Sequence, residues 1–342
     1  MDAGLAVFRR QYLQCLEPDF LAWPDPLLLK EEDVQRWLYE QLFDTDQISR
    51  LPPERYQFRV LKPLVTKIER SIRDPEEDDI SDDLMTRLST LIASNLPTES
   101  AAVQQKTYVT FTCLRESESS QSESNDEPTI TLLERRYLIS GSNTTGFRTW
   151  EAALHLGSYL LTEEGRSLVK DKNILELGAG TGFLSLLCAK HLGARHITST
   201  DGDEGVVEAL KENAFLNELH DESYFQSSVF RWGRGIVGSW VEEDFASWPY
   251  DLVIGADITY EKQAISALVA TLRMLFQMKP DIQVLIAGAV RNWDTFNTFT
   301  SACQSNNFRI TDLQFPAKMM REQSSLFYAT ACPLKILRIE HQ

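Results

Sequence analysis

The chain has 342 residues, 43% of them hydrophobic and 10% aromatic, and carries a formal net charge of −16. That length suits one large domain or two modest ones with a substantial core. The charge argues against a sequence-independent grip on nucleic acid, which depends on Lys and Arg neutralising phosphates.

An acidic surface suits a basic protein partner, or is simply solvated. The five cysteines (Cys15, Cys113, Cys188, Cys303 and Cys332) form no Cys-x-x-Cys pair and leave an odd count. Neither a zinc site nor a disulfide framework is expected from them, and no metal is expected at all. No run of eighteen apolar residues occurs, nor a basic start followed by a long apolar core. The expectation is therefore a soluble, cytoplasmic monomer with no membrane or direct nucleic-acid contact.

Apolar residues at helical spacing predict an N-terminal helical region over residues 1–104. Its helices run over Leu5–Leu16, Glu31–Phe43 and Tyr56–Ile72, with Pro63 as a kink in the third. The acidic stretch Asp74–Asp83 reads as a solvated connector. Ser81 then reads as the N-cap of a helix over Leu84–Ala93. Residues 105–144 read as a β-hairpin, Thr107–Leu114 pairing with Thr129–Ile139. Between these strands, residues 116–127 are rich in Ser and Glu and read as a disordered acidic insertion.

From residue 145 to 342 helix and strand patterns alternate. An amphipathic helix is predicted over Trp150–Leu161. Strands follow at 174–177, 196–200, 226–230, 251–256, 283–287, 307–313 and 331–339, with helices between the first six. The last two lack an intervening helix and are free to pair antiparallel. This predicts an α/β fold, a doubly wound, Rossmann-like sheet of seven strands, six mostly parallel and one reversed. Ligands of such sheets lie outside the carboxyl ends of the strands at the switch point, where Glu176, Asp201, Trp232 and Asp257 would gather.

Asn173–Gly182 reads Asn-Ile-Leu-Glu-Leu-Gly-Ala-Gly-Thr-Gly. A short apolar strand breaks into a turn with Gly178, Gly180 and Gly182 flanking Ala179 and Thr181, and a helix starts at Phe183. Glycine permits a sharp turn and close approach of a ligand to the main chain. The dinucleotide fingerprint requires glycine where Phe183 stands, and no Gly-Lys-Ser/Thr follows to make a Walker loop. The next strand ends at Asp201, placed to accept hydrogen bonds from both hydroxyls of a ribose; Asp203 is a near competitor, and Asp201 is favoured because it lies directly at the strand end.

The Gly-x-Gly-x-Gly spacing preceded by Glu176 resembles motif I of S-adenosylmethionine-dependent methyltransferases of the seven-β-strand class. Asp257-Ile-Thr-Tyr260 resembles the Asp-x-x-Tyr signature of a family of protein lysine methyltransferases within that class. Thr149-Trp150-Glu151-Ala152-Ala153 resembles the Trp-x-Ala-Ala segment of that family, and Arg231-Trp232-Gly233 its Trp-Gly after the third strand. In one respect the chain departs: Phe230-Arg231 replaces the more usual Leu-Asp before Trp-Gly. The resemblance implies cofactor contacts from Trp150, Glu176, the loop Gly178-Ala179-Gly180 with Gly182, Asp201, Trp232 and Ala256. Each tryptophan also has a packing role open to it, Trp150 within its helix and Trp232 under a loop.

A narrower resemblance, to lysine methyltransferases of eukaryotic elongation factor 2, lies in Thr144–Trp150, in Val290-Arg291-Asn292 and in the helical extension joined to a hairpin. It implies elongation factor 2 as the protein substrate. Methyl transfer needs an in-line neutral amine, so Asp257 is expected to capture and aim the acceptor ammonium, with deprotonation through water beside Tyr260. Three rival readings remain. One is a nucleic-acid methyltransferase, disfavoured because no proline stands between Asp257 and Tyr260. The others are a methyltransferase of a different protein or a small molecule, and a non-catalytic cofactor-binding assembly protein.

Overall fold

The computed structural model describes residues 2–74, 78–94, 98, 105–115, 127–136 and 145–342. The expected acidic insertion lies outside the described residues except for Glu127, as do residues 137–139 of the expected second hairpin strand and Thr144 of the resemblance. The described residues fall into two compact units. One is Met1–Thr112 with Ser120–Leu138, the other Cys113–Ser119 with Ile139–Gln342.

In the first unit the helices are α1 (Ala3–Leu13), α2 (Pro26–Leu29), α3 (Glu32–Leu42), α4 (Glu54–Ser71) and α5 (Asp82–Ala93). Asp2 caps α1 by accepting from the N–H groups of Gly4 and Leu5. The single turn of α2, started by Asp25 and Pro26, is too short to leave a periodic signal. α4 continues through Pro63. Ser81 does occupy the N-cap of α5, but its side chain makes no capping bond; Asp82 and Asp83 supply negative charge at that end instead. The buried tyrosines join the helices, with Tyr12 OH donating to Leu42 O at 2.9 Å and Tyr56 OH to Leu16 O at 2.6 Å. The same unit holds the hairpin of β1 (Thr107–Thr112) and β2 (Thr129–Glu134), in antiparallel register with Val109 opposite Leu132 and Phe111 opposite Ile130.

The second unit begins with α6 (Glu151–Leu160) and α7 (Glu163–Val169). It continues through β3 (Asn173–Leu177), α8 (Phe183–His191), β4 (His196–Asp201), α9 (Glu204–Leu216) and β5 (Phe225–Val229). Then come α10 (Trp240–Ser247), β6 (Leu252–Ala256), α11 (Lys262–Met278), β7 (Gln283–Ala289) and α12 (Trp293–Ser305). β8 (Phe308–Asp312) and β9 (Leu334–His341) complete it.

The seven strands form one sheet in the order β5-β4-β3-β6-β7-β9-β8. The pairs among β3 to β7 are parallel, while β9 runs antiparallel to both β7 and β8. The expected reversed strand is thus β9, inserted between β7 and β8. All five residues of β3 are buried, as a central strand covered on both faces requires. From β3 the chain moves outward through β4 to β5, then returns to β6 on the other side of β3 and continues to β7. That reversal puts the switch point between β3 and β6, and the loops leaving their carboxyl ends diverge there.

Candidate active site

At the end of β3 the chain turns through Gly178, Gly180 and Gly182, at φ +67°, +55° and +85°. A side chain at Gly178 would put its Cβ 2.6 Å from Ile258 Cγ2, so space and backbone conformation both demand glycine there. Gly182 has a different task. It is the N-cap of α8 and packs against Leu210, whose Cγ would lie 3.2 Å from an added Cβ. Among the loop residues, Gly178, Ala179, Gly180 and Thr181 line a cleft of about 690 Å³, and Gly182 does not.

Glu176 borders this cleft but is 2% exposed. Its Oε2 accepts from Ser185 N at 3.0 Å, from Ser185 Oγ, and from Ser199 Oγ at 3.5 Å. Ser185 stands in the first turn of α8, so Glu176 satisfies an otherwise unpaired helix N–H and clamps the helix beneath the loop. Burial pushes its carboxyl pKa up to about 7, against the lowering effect of the Ser185 bonds.

Asp201 lies at the carboxyl end of β4 and lines the cleft. Its Oδ2 accepts from Gly180 N and its Oδ1 from Asp203 N, both at 3.1 Å. A carboxylate has about four lone-pair sites, so acceptor capacity remains for ribose hydroxyls. Asp203 is otherwise employed: it caps α9 through Val206 N at 3.0 Å and is absent from the cleft lining. Burial raises the Asp201 pKa, opposed by the backbone N–H groups it accepts from.

Trp232 follows β5, and its ring reaches within 3.4 Å of where a Gly178 Cβ would stand. Its Nε1 is buried with no hydrogen-bond partner among the described residues. An unpaired buried donor is costly unless a ligand satisfies it. Trp150, the N-cap of α6, donates from Nε1 to Thr145 O at 3.0 Å. The guanidinium carbons of Arg148 and Arg291 lie 5.0 and 5.5 Å from its ring centroid, within cation–π range.

Ala256, the last residue of β6, and Asp257 and Tyr260 beyond it also line the cleft. Asp257 is held at φ +52°, a conformation that costs a non-glycine residue energy. Its Oδ1 accepts from Ala289 N at 3.0 Å and faces Arg291 Nη1 at 3.4 Å, while its Oδ2 faces Ala152 N at 3.4 Å. Burial raises its pKa; the Ala289 N–H, the Arg291 charge and the Ala152 N–H oppose this. Tyr260 is 60% exposed at the mouth.

The structure therefore brings Trp150, Glu176, Gly178, Ala179, Gly180, Asp201, Trp232, Ala256, Asp257 and Tyr260 to one cleft and sets Gly182 beneath it. The sequence reading did not assign a cleft role to Arg148, Phe183, Ile258 or Ala267, all of which line it. Arg148 adjoins Trp150 and carries a local signal; Ala267, on a helix, carries none. Open glycine backbone, an acid with spare acceptor capacity and an unpaired indole N–H fit the adenosine and ribose of S-adenosylmethionine. Among the described residues no group of three or more His, Cys, Asp or Glu side chains is arranged to hold a metal ion. No helix there is long and apolar enough to cross a membrane.

Comparison with known proteins matches residues 125–305 to the family described as Lysine methyltransferase. The chain is 45% identical to Protein-lysine N-methyltransferase EFM3 of Chaetomium thermophilum, over 98% of this chain and 97% of that protein. Protein-lysine N-methyltransferase EFM3 of Saccharomyces cerevisiae is 31% identical over 64% of this chain and 67% of its own length. Protein-lysine N-methyltransferase EEF2KMT of Homo sapiens is 31% identical over 50% and 53%.

Proposed function

The chain belongs to the lysine methyltransferase family and is an S-adenosylmethionine-dependent protein-lysine N-methyltransferase; we propose that the lysine it modifies lies on translation elongation factor 2. The likeness to human EEF2KMT, a protein named for EEF2, carries the choice of substrate.

When bound, S-adenosylmethionine supplies an activated methyl group with a thioether as leaving group. The glycine loop would leave room for it, Asp201 would accept from its ribose, and the Trp232 and Trp150 rings would border it. Asp257 faces the acceptor. A lysine of pKa ~10.4 must lose its proton first, which costs roughly 4–5 kcal/mol at pH 7. Asp257 captures and aims the ammonium, the apolar lining favours the neutral amine, and the proton leaves through water beside Tyr260. Aligning the amine with the methyl carbon is the larger part of the rate gain.

Labelled cofactor added to lysate from a strain lacking this gene tests the substrate. One labelled protein of elongation factor 2 size, with the label on a lysine, is the expected result. Label in nucleic acid or a metabolite would overturn the reading. For Asp257, the expected outcome of Asp257→Ala is loss of transfer with cofactor affinity nearly intact; a native rate would remove it from the mechanism.

A further inference from the structure

We infer that Glu151 is a positioning residue that holds the Arg291 guanidinium back from Asp257, so that the carboxylate stays open to the acceptor lysine. The inference rests on the reading of Asp257 given above.

Arg291 Nη2 lies 2.8 Å from Glu151 Oε2, a full charge-assisted bond. Its Nη1 donates to Asp257 Oδ1 at 3.4 Å, a longer and weaker bond than the one to Glu151. The three side chains differ in freedom. Asp257 is 9% exposed and fixed by its backbone and the Ala289 N–H. Arg291 is 43% exposed and lies across the Trp150 ring, so the guanidinium is the part able to move. Glu151 is absent from the cleft lining and holds Arg291 from outside.

Without the Glu151 charge, the carboxylate that stays paired with Arg291 among the described residues is Asp257. A guanidinium closed onto Asp257 would compete directly with the incoming ammonium and repel it. Glu151 also sits in the first turn of α6, where a negative charge favours the helix dipole. A role confined to the helix would not depend on Arg291, and this separates the two explanations.

The test is a double-mutant cycle on the full chain, with the protein labelled in the transfer experiment as acceptor. Acceptor dissociation constant, KM and kcat are measured alongside cofactor affinity. Glu151→Gln is expected to weaken acceptor binding and raise its KM about tenfold, with cofactor affinity unchanged. In the Arg291→Ala background the same change should alter acceptor binding less than about twofold. Equal effects in both backgrounds, or a loss of cofactor affinity, would overturn the inference. Native transfer by Asp257→Ala would sink the Asp257 reading and this inference together. An inactive Asp257→Ala enzyme with an additive cycle would sink the inference alone.

Discussion

Asp201 Oδ2 accepts a hydrogen bond from the backbone N–H of Gly180 at 3.1 Å, so the acid ending β4 and the glycine turn after β3 form one unit. Gly180 stands in the left-handed region at φ +55°, and an added Cβ would meet Gly146 O at 3.1 Å. The turn thus presents its N–H to the carboxylate and its open face to the cleft.

Asp201→Ala removes both the carboxylate proposed to accept from the ribose and the tie to Gly180. Hydrogen bonds to a charged group are worth about 1.5–3 kcal/mol each, so the cofactor dissociation constant should rise roughly 10- to 100-fold or more. Isothermal calorimetry reads this directly, and an unchanged constant would rule Asp201 out as a cofactor ligand.

Gly178→Ala forces a side chain into a left-handed turn against Ile258. The expected loss is about 1–3 kcal/mol of stability in denaturant unfolding, with weakened cofactor binding because the loop must shift. Gly238→Ala provides the contrast. It has φ +75° but nothing within 4 Å of the added Cβ, so it should carry backbone strain without a steric term.

Glu176 makes a pH-dependent contribution whose sign follows from its raised pKa. Between its ordinary value of 4.5 and about 7, the folded chain holds this proton more tightly than the unfolded chain. Stability from this group is therefore present at low pH and falls as pH rises through that window. Glu176→Gln removes the titration. The stability difference should move in favour of the variant by up to about 3 kcal/mol from pH 4.5 to 7 and stay flat beyond. A difference independent of pH would show that Glu176 does not titrate there.

Asp257 is pushed above the ordinary carboxylate range by burial, with Arg291 and two N–H groups opposing and Glu151 adding to the rise. If the ionised form receives the acceptor, kcat/KM should fall as pH drops through this raised pKa. Arg291→Ala removes a charge that favours ionisation, so the acid limb should move to higher pH. Tyr260 borders the same space. An acid limb unmoved in Arg291→Ala would mean that another group controls it.

The sequence by itself determined what local patterns encode. Strand cores carry continuous apolar runs, helices a 3.6-residue period, and tight turns glycine at positive φ, so the expected seven strands match those observed within a few residues. Elements of one or two turns, α2 and α7, left too few periods to register. Asp201 was legible, and preferred over Asp203, because it lies directly at a strand end; the folded chain adds that Asp203 is committed to a capping bond. Gly182 and Glu176 share the motif with the cleft-forming glycines, yet the packing of α8 and α9 turns the first away and commits the Glu176 carboxylate to Ser185. The link from Arg291 to Glu151 joins residues 140 positions apart, and that to Asp257 spans 34. Which side chains meet across those distances depends on β6 lying beside β3 and β7 beside β6 at the switch point, non-local pairings that no short window of sequence contains.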